Sequence, residues 1–175
     1  MKVTIGQINT TNGDISGNVQ KIVATIEKAK SDGSDLVVFP EVCIHGYTSQ
    51  DWFQDADIIE SATDPLSEII PHSKDITAIV GTIRANDSKD GRRLYNSAAI
   101  IHDGELIGFA DKTLLPEYDV FDDPRYFEPS QHRRILGIVY VASPPETSGH
   151  PPRSAARPRR SADSPADPRK ARARS

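Results

Sequence analysis

The sequence predicts an α/β fold followed by a disordered C-terminal tail. Three observations predict it. The first forty residues read strand, helix, strand. An antiparallel hairpin reads out around residue 103. After residue 143 the composition changes abruptly.

The first strand is "KVTIGQI", with Val3 and Ile5 alternating and Ile8 following. "NTTNGD" is a turn. Asn18 is positioned to start a helix, and Val19, Ile22, Val23 and Ile26 recur at helical spacing up to about Lys30. "SDGSD" stops that helix, and "LVVFP" is a short continuous apolar run suited to a strand buried on both faces. A β-α-β order implies a crossover between neighbouring parallel strands. "EVCIHGYTSQDWFQD" then reads as a loop beyond the strand end. Asp64-Pro65 opens a second helix with Leu66, Ile69 and Ile70 on one face.

"ITAIVGTIRA" is a third strand and "NDSKDGRR" a turn. "LYNSAAIIHDGELIGFADK" is a hairpin turning at "HDGE". "TLLPEYDVFDDPRYFEPSQH" has no periodicity and is rich in charge and aromatics. A loop of that length in a compact domain is functional or disordered. "RRILGIVYVA" starts a further strand. From Pro144 to Ser175 there is no Val, Ile, Leu, Met or aromatic residue, and Pro, Arg, Ala and Ser supply 25 of the 32 positions. Such a segment buries too little apolar surface to offset the entropy of ordering it. The expected organisation is a partial catalytic domain over residues 1–142 and a disordered tail over 143–175.

The formal net charge of -4 hides two unlike parts. The tail from Pro144 carries 8 Lys+Arg and 3 Asp+Glu, and the remainder 13 and 22, so the folded part is acidic at -9. An acidic body argues against a nucleic-acid groove. The basic tail lacks the aromatics that stack on bases. No apolar run is long enough to span a membrane and no signal-peptide core follows Met1, so a soluble, cytoplasmic protein is expected. The single cysteine excludes an intramolecular disulfide and any multi-Cys metal site.

Glu41 follows Pro40 at the end of a buried strand, where sites form in open α/β sheets. With Phe39, Tyr47 and Trp52 near it in sequence to shield it, it could act as a general base; a capping carboxylate is the plainer alternative. Lys112 ends another strand and could stabilise a developing oxyanion, or simply be a solvated strand-end lysine. Glu117 and Tyr118, in "LPEYDVF", could orient that lysine and bind a polar substrate, or serve loop packing. Cys43 lies two residues after Glu41, with His45 nearby. A nucleophile beside its base is one reading; a small buried hydrophobe is the commoner role of a free cysteine.

"LVVFPEVCIHGY", followed about seventy residues later by "GFADKTLLPEYDVFDDPRYFEP", resembles the nitrilase (carbon-nitrogen hydrolase) superfamily. The second motif is most similar to the glutaminase domain of glutamine-dependent NAD synthetases, and the resemblance runs from Met1 to about His132. It implies a four-layer α-β-β-α sandwich, here incomplete. It implies Glu41 as general base, Lys112 as the oxyanion-stabilising cation, Glu117 in support of the lysine and Tyr118 in contact with a glutamine substrate. A thiol would attack the carboxamide, ammonia would leave, and water would release glutamate from a thioester. The family's nucleophilic cysteine follows the lysine loop in a Cys-Glu-Asp type sequence. Here "SPPETSGHPP" follows instead, and Cys43 matches a packing position. No metal site is expected. ATP and Mg²⁺ would belong to a synthetase domain that this sequence does not contain, and intact relatives are expected to be homo-oligomers. The Pro, Arg, Ala and Ser of the tail have codons rich in G and C, so a truncated or frameshifted chain is expected, with its break between about Arg134 and Ser143. Lacking the nucleophile, the chain is expected to be catalytically inactive; a stand-alone hydrolase of a small amide or nitrile and a non-catalytic binding module or inert fragment are the alternatives.

Overall fold

The computed structural model of the protein describes residues 1–131, apart from 48, 49 and 89. The expected boundary at residue 142, the strand "RRILGIVYVA" and the tail lie outside the described residues. Five strands form one sheet in sequence order: β1 (Val3–Ile5), β2 (Leu36–Val38), β3 (Thr77–Ala85), β4 (Leu94–His102) and β5 (Glu105–Asp111). β1, β2 and β3 are parallel, as the β-α-β reading requires, and β3-β4-β5 run antiparallel. Asp103 and Gly104 both have positive φ at the β4-β5 turn, the backbone that a tight two-residue hairpin needs and that "DG" supplies.

Helix α1 (Ile15–Ser31) begins three residues earlier than the sequence suggests. Asp14 is its N-cap and accepts a hydrogen bond from the Gly17 amide. Asn18, expected at the helix start, sits instead one turn inside, fully buried. Its amide donates to the carbonyls of Thr11 and Ile44 and accepts from the Thr11 N–H, pinning the segment after β2 to the helix. Val19, Ile22, Ile26 and Ala29 face the sheet and close a core with Val37, Ala78, Val80, Ala99 and Ile101. Two short helices, α2 (Ala56–Glu60) and α3 (Leu66–Ile69), follow β2, and Leu66 and Ile69 join the same core. α2 and the 3-10 turn Gln50–Gln54 lie at and just beyond the stretch expected to be loop. A fourth short helix, α4 (Asp123–Tyr126), interrupts the long loop after β5.

The opposite face of the sheet is most closely packed at one end. There Val42, Phe53, Ile59, Ile83, Leu94 and Phe127 form a second apolar cluster. β2 is fully buried at Val37 and half-buried at Leu36 and Val38, so its expected burial on both faces holds for one. The described residues thus supply one helical layer and one sheet of a sandwich. None of the described helices is long and apolar enough to cross a membrane.

Candidate active site

The site forms where β2 and β5 end beside the start of β4. The backbone leaves β2 through Phe39, whose N–H donates to the Ile79 carbonyl. It then passes against Gly81 of β3. A Cβ on Gly81 would lie 2.1 Å from the Pro40 carbonyl oxygen and 2.6 Å from the Val42 nitrogen, so only glycine admits this approach. Val42 takes φ +48°, a costly conformation for a β-branched residue, and is held there by burial in the second cluster. Glu41 is thereby turned onto the open face of the sheet.

Lys112, 71 residues further on, directly follows β5. Its Nζ lies 2.7 Å from Glu41 Oε1 and 2.8 Å from Asp123 Oδ2. Asp123 is the first residue of α4, and its side chain is only 8% exposed, against 28% for Lys112 and 41% for Glu41. Burial alone would lower the Lys112 pKa. The hydrogen bonds and charges of Asp123 and Glu41 more than offset it, and the ammonium is held above its usual value. Tyr47 donates to Asp123 Oδ1 at 3.4 Å. Its own pKa is pushed up to about 12, by burial first and then by the charges of Asp123 and Glu41, so it remains a neutral donor.

Glu41, Lys112 and Tyr47 border a cavity of about 650 Å³, within the range of small-molecule sites. Glu41, Lys112, Glu117 and Tyr118 all line it, with Tyr47 and Phe121 as aromatic walls. Tyr118 is exposed and stacks edge-on against Phe121, as does Tyr47. A neighbouring cavity of about 790 Å³ shares Tyr47 and Phe121 and is also lined by Asp51, Asp123 and Arg125. The four residues singled out in the sequence therefore meet. Glu117, however, lies on the cavity wall, and the second carboxylate on Lys112 belongs to Asp123. Of the three aromatics expected to shield Glu41, Tyr47 shares its cavity, Phe39 packs in the helix-side core, and Trp52 packs against Gly13.

Cys43 points the other way. It is 1% exposed in the helix-side core, and its Sγ donates to the Gly81 carbonyl at 3.4 Å. Burial pushes its thiol up to about 12. Burial likewise lowers His45 to about 4, so its ring is neutral at physiological pH. This pair offers no thiolate.

Sequence reasoning missed Asp123 and Asn96. Asp123 is the second acid of "FDDPRY" and precedes a proline, a helix-start signal that the aperiodic loop concealed. Asn96 is a polar residue within a strand, where asparagine is depleted; that oddity was the available signal. Among the described residues, no group of three or more His, Cys, Asp or Glu side chains could hold a metal ion.

A carboxylate and an ammonium in contact at strand ends, beside a cavity of this size, offer a proton acceptor and a cation to a bound polar group. Comparison with known proteins places the chain accordingly: it belongs to the carbon-nitrogen hydrolase family, whose model matches residues 2–148. Within that family it is similar to the glutamine-dependent NAD(+) synthetase of Thermotoga maritima, at 34% identity over 140 residues, which cover 79% of this chain and 23% of the relative. It is also similar to the crystal structure of a glutamine-dependent NAD(+) synthetase from Cytophaga hutchinsonii. The TM-score is 0.70 and the identity 27%, covering 79% of this chain and 23% of that one. An amidase of the nitrilase superfamily from Nesterenkonia AN1, 18% identical, shares the fold with a TM-score of 0.62 over 75% of this chain and 49% of its own. The chain thus spans about a quarter of the length of the synthetases it matches.

Proposed function

We propose that this chain forms part of the glutamine-binding pocket of a glutamine-dependent NAD synthetase, and that on its own it binds glutamine without hydrolysing it. The contact between Glu41 and Lys112 across the cavity carries this reading. The similarity to NAD synthetases favours it over a stand-alone hydrolase.

Each group has a task in this pocket. Glu41 is the general base for an incoming nucleophile. An ammonium has three N–H donors; Glu41 and Asp123 engage two on Lys112, and the third is available to the oxygen of a carboxamide, where charge develops on attack. Asp123 supports the lysine directly, and Glu117 and Tyr118 meet the polar ends of glutamine at the cavity wall. The covalent step requires a thiol, and the single cysteine of the 175 residues is buried on the far side of the sheet. In a whole synthetase the released ammonia would pass to an ATP- and Mg²⁺-using domain that amidates deamido-NAD.

The test is calorimetric titration of the full chain with glutamine, together with an assay for released glutamate. Saturable binding is expected, weakened at least about tenfold by Lys112→Met, with no glutamate above background. Absence of glutamine binding would overturn the proposal. So would glutamate release abolished by Cys43→Ala, because Cys43 would then be the nucleophile.

A further inference from the structure

We infer that Asn96 is the positioning residue of the site: it fixes the Glu41 carboxylate through its side chain and Lys112 through its backbone. Asn96 lies near the start of β4, on the same face of the sheet as Ile83, its partner in β3. Its neighbours on that face along β4 are Leu94, Ala98 and Ile100, with His102 at the far end, so it is a polar residue flanked by apolar ones, and it is buried. A buried amide left without partners forfeits the hydrogen bonds it made to water, so its contacts account for its presence.

Those contacts both lead to the proposed chemistry. Asn96 Nδ2 donates to Glu41 Oε1 at 2.5 Å. The Asn96 carbonyl accepts the Lys112 backbone N–H at 2.8 Å, continuing the β4-β5 ladder one residue beyond the strand. One residue thereby sets the distance between acid and base partners that lie 71 positions apart in sequence.

The geometry at Glu41 has a further consequence. Asn96 Nδ2 and Lys112 Nζ both donate to Oε1. Among the described residues Oε2 accepts no hydrogen bond. The two oxygens are therefore unequal: Oε1 is occupied by donors, and Oε2 is the oxygen left to take a proton. Asn96 makes this division, because Lys112 alone, on a flexible four-carbon stem, could serve either oxygen.

The inference relies on the preceding proposal only for which molecule Glu41 acts upon; the positioning itself is measured without ligand. NMR of the full chain provides the measurement. In the wild type an Asn96 side-chain amide proton is expected downfield and protected from exchange with water. Protection should fall in Glu41→Gln, whose neutral oxygen is a weaker acceptor. It should fall further in Glu41→Ala, roughly tenfold or more relative to the wild type. Equal exchange rates in all three proteins would overturn the inference.

Asn96→Leu, similar in volume and lacking the donor, is expected to abolish the nuclear Overhauser contact between the Glu41 γ-methylene and the Lys112 ε-methylene. Persistence of that contact in a folded Asn96→Leu protein would also overturn the inference. If this variant does not fold, the Glu41 series decides. Glutamine titrated into the same wild-type sample separates the two ideas. Loss of glutamine binding with Asn96 still dependent on Glu41 sinks only the proposed function, and the converse sinks only the role of Asn96.

Discussion

On the helix-covered face of the sheet, Val37, Ala78, Val80, Ala99 and Ile101 are closed off from solvent. One residue along the strands, on the opposite face, Ile5 is 72% exposed and Leu36, Val38 and Ile79 are half-buried, while Thr77 and Ile100 are buried. The strands are apolar on both faces, so residue type does not separate the two. The difference lies in what covers them. α1, α3 and the loops beside them close the first face from within the same stretch of chain. On the second face the packing is closest at the end near Glu41, Phe53 and Phe127, and there the polar groups of the site collect. The first face holds the fold together, and the second holds the chemistry.

Substitutions that contrast the faces should differ most. Ile101→Ala removes a fully buried side chain and is expected to cost about 2–5 kcal/mol. Ile5→Ala should stay within about 0.5 kcal/mol, as exposed positions do. Urea denaturation of both variants measures the contrast, and equal costs would mean that the second face is also closed in solution.

A smaller effect is expected inside the site. Asp123→Asn removes the less exposed of the two carboxylates on Lys112 and should cost about 1–2 kcal/mol at neutral pH. The folded-state pKa of Lys112 lies above its ordinary 10.5. Its contribution is therefore fully present below that value and is lost as pH rises through the folded pKa. The stability gap between wild type and Asp123→Asn should hold steady through neutral pH and narrow above about 10.5. A gap that widened with pH would contradict the pairing.

The smallest effect belongs to Cys43, which has the right chemistry on the wrong face. Cys43→Ala should cost about 1 kcal/mol of packing and leave the glutamine titration unchanged. A change in glutamine affinity would place Cys43 in contact with the pocket and erase the division between faces.

Much of this was legible in the residues. The β-α-β opening and the hairpin at "HDGE" followed from periodicity and turn chemistry, which act over a few neighbouring residues. Glu41, Lys112, Glu117 and Tyr118 were visible because two motifs resemble a known family, and all four line one cavity. Asp123 was obscured by a loop without periodicity, although its position ahead of Pro124 marked a helix start. Asn18 looked like a cap and proved to be a buried stitch between Thr11 and Ile44, since the true cap, Asp14, competes for the same role a turn earlier.

By itself the sequence determined the strands and their order, the type of residue at each site position, and the presence of a single cysteine. Those depend on local backbone preference and on composition. Only the tertiary structure decided that Lys112 pairs with Asp123, that Asn96 holds Glu41, and that Cys43 faces away from both. These outcomes turn on which face of a pleated sheet each side chain takes and on which distant segment lies against it. A shift of one residue in register would reverse them without altering any local pattern.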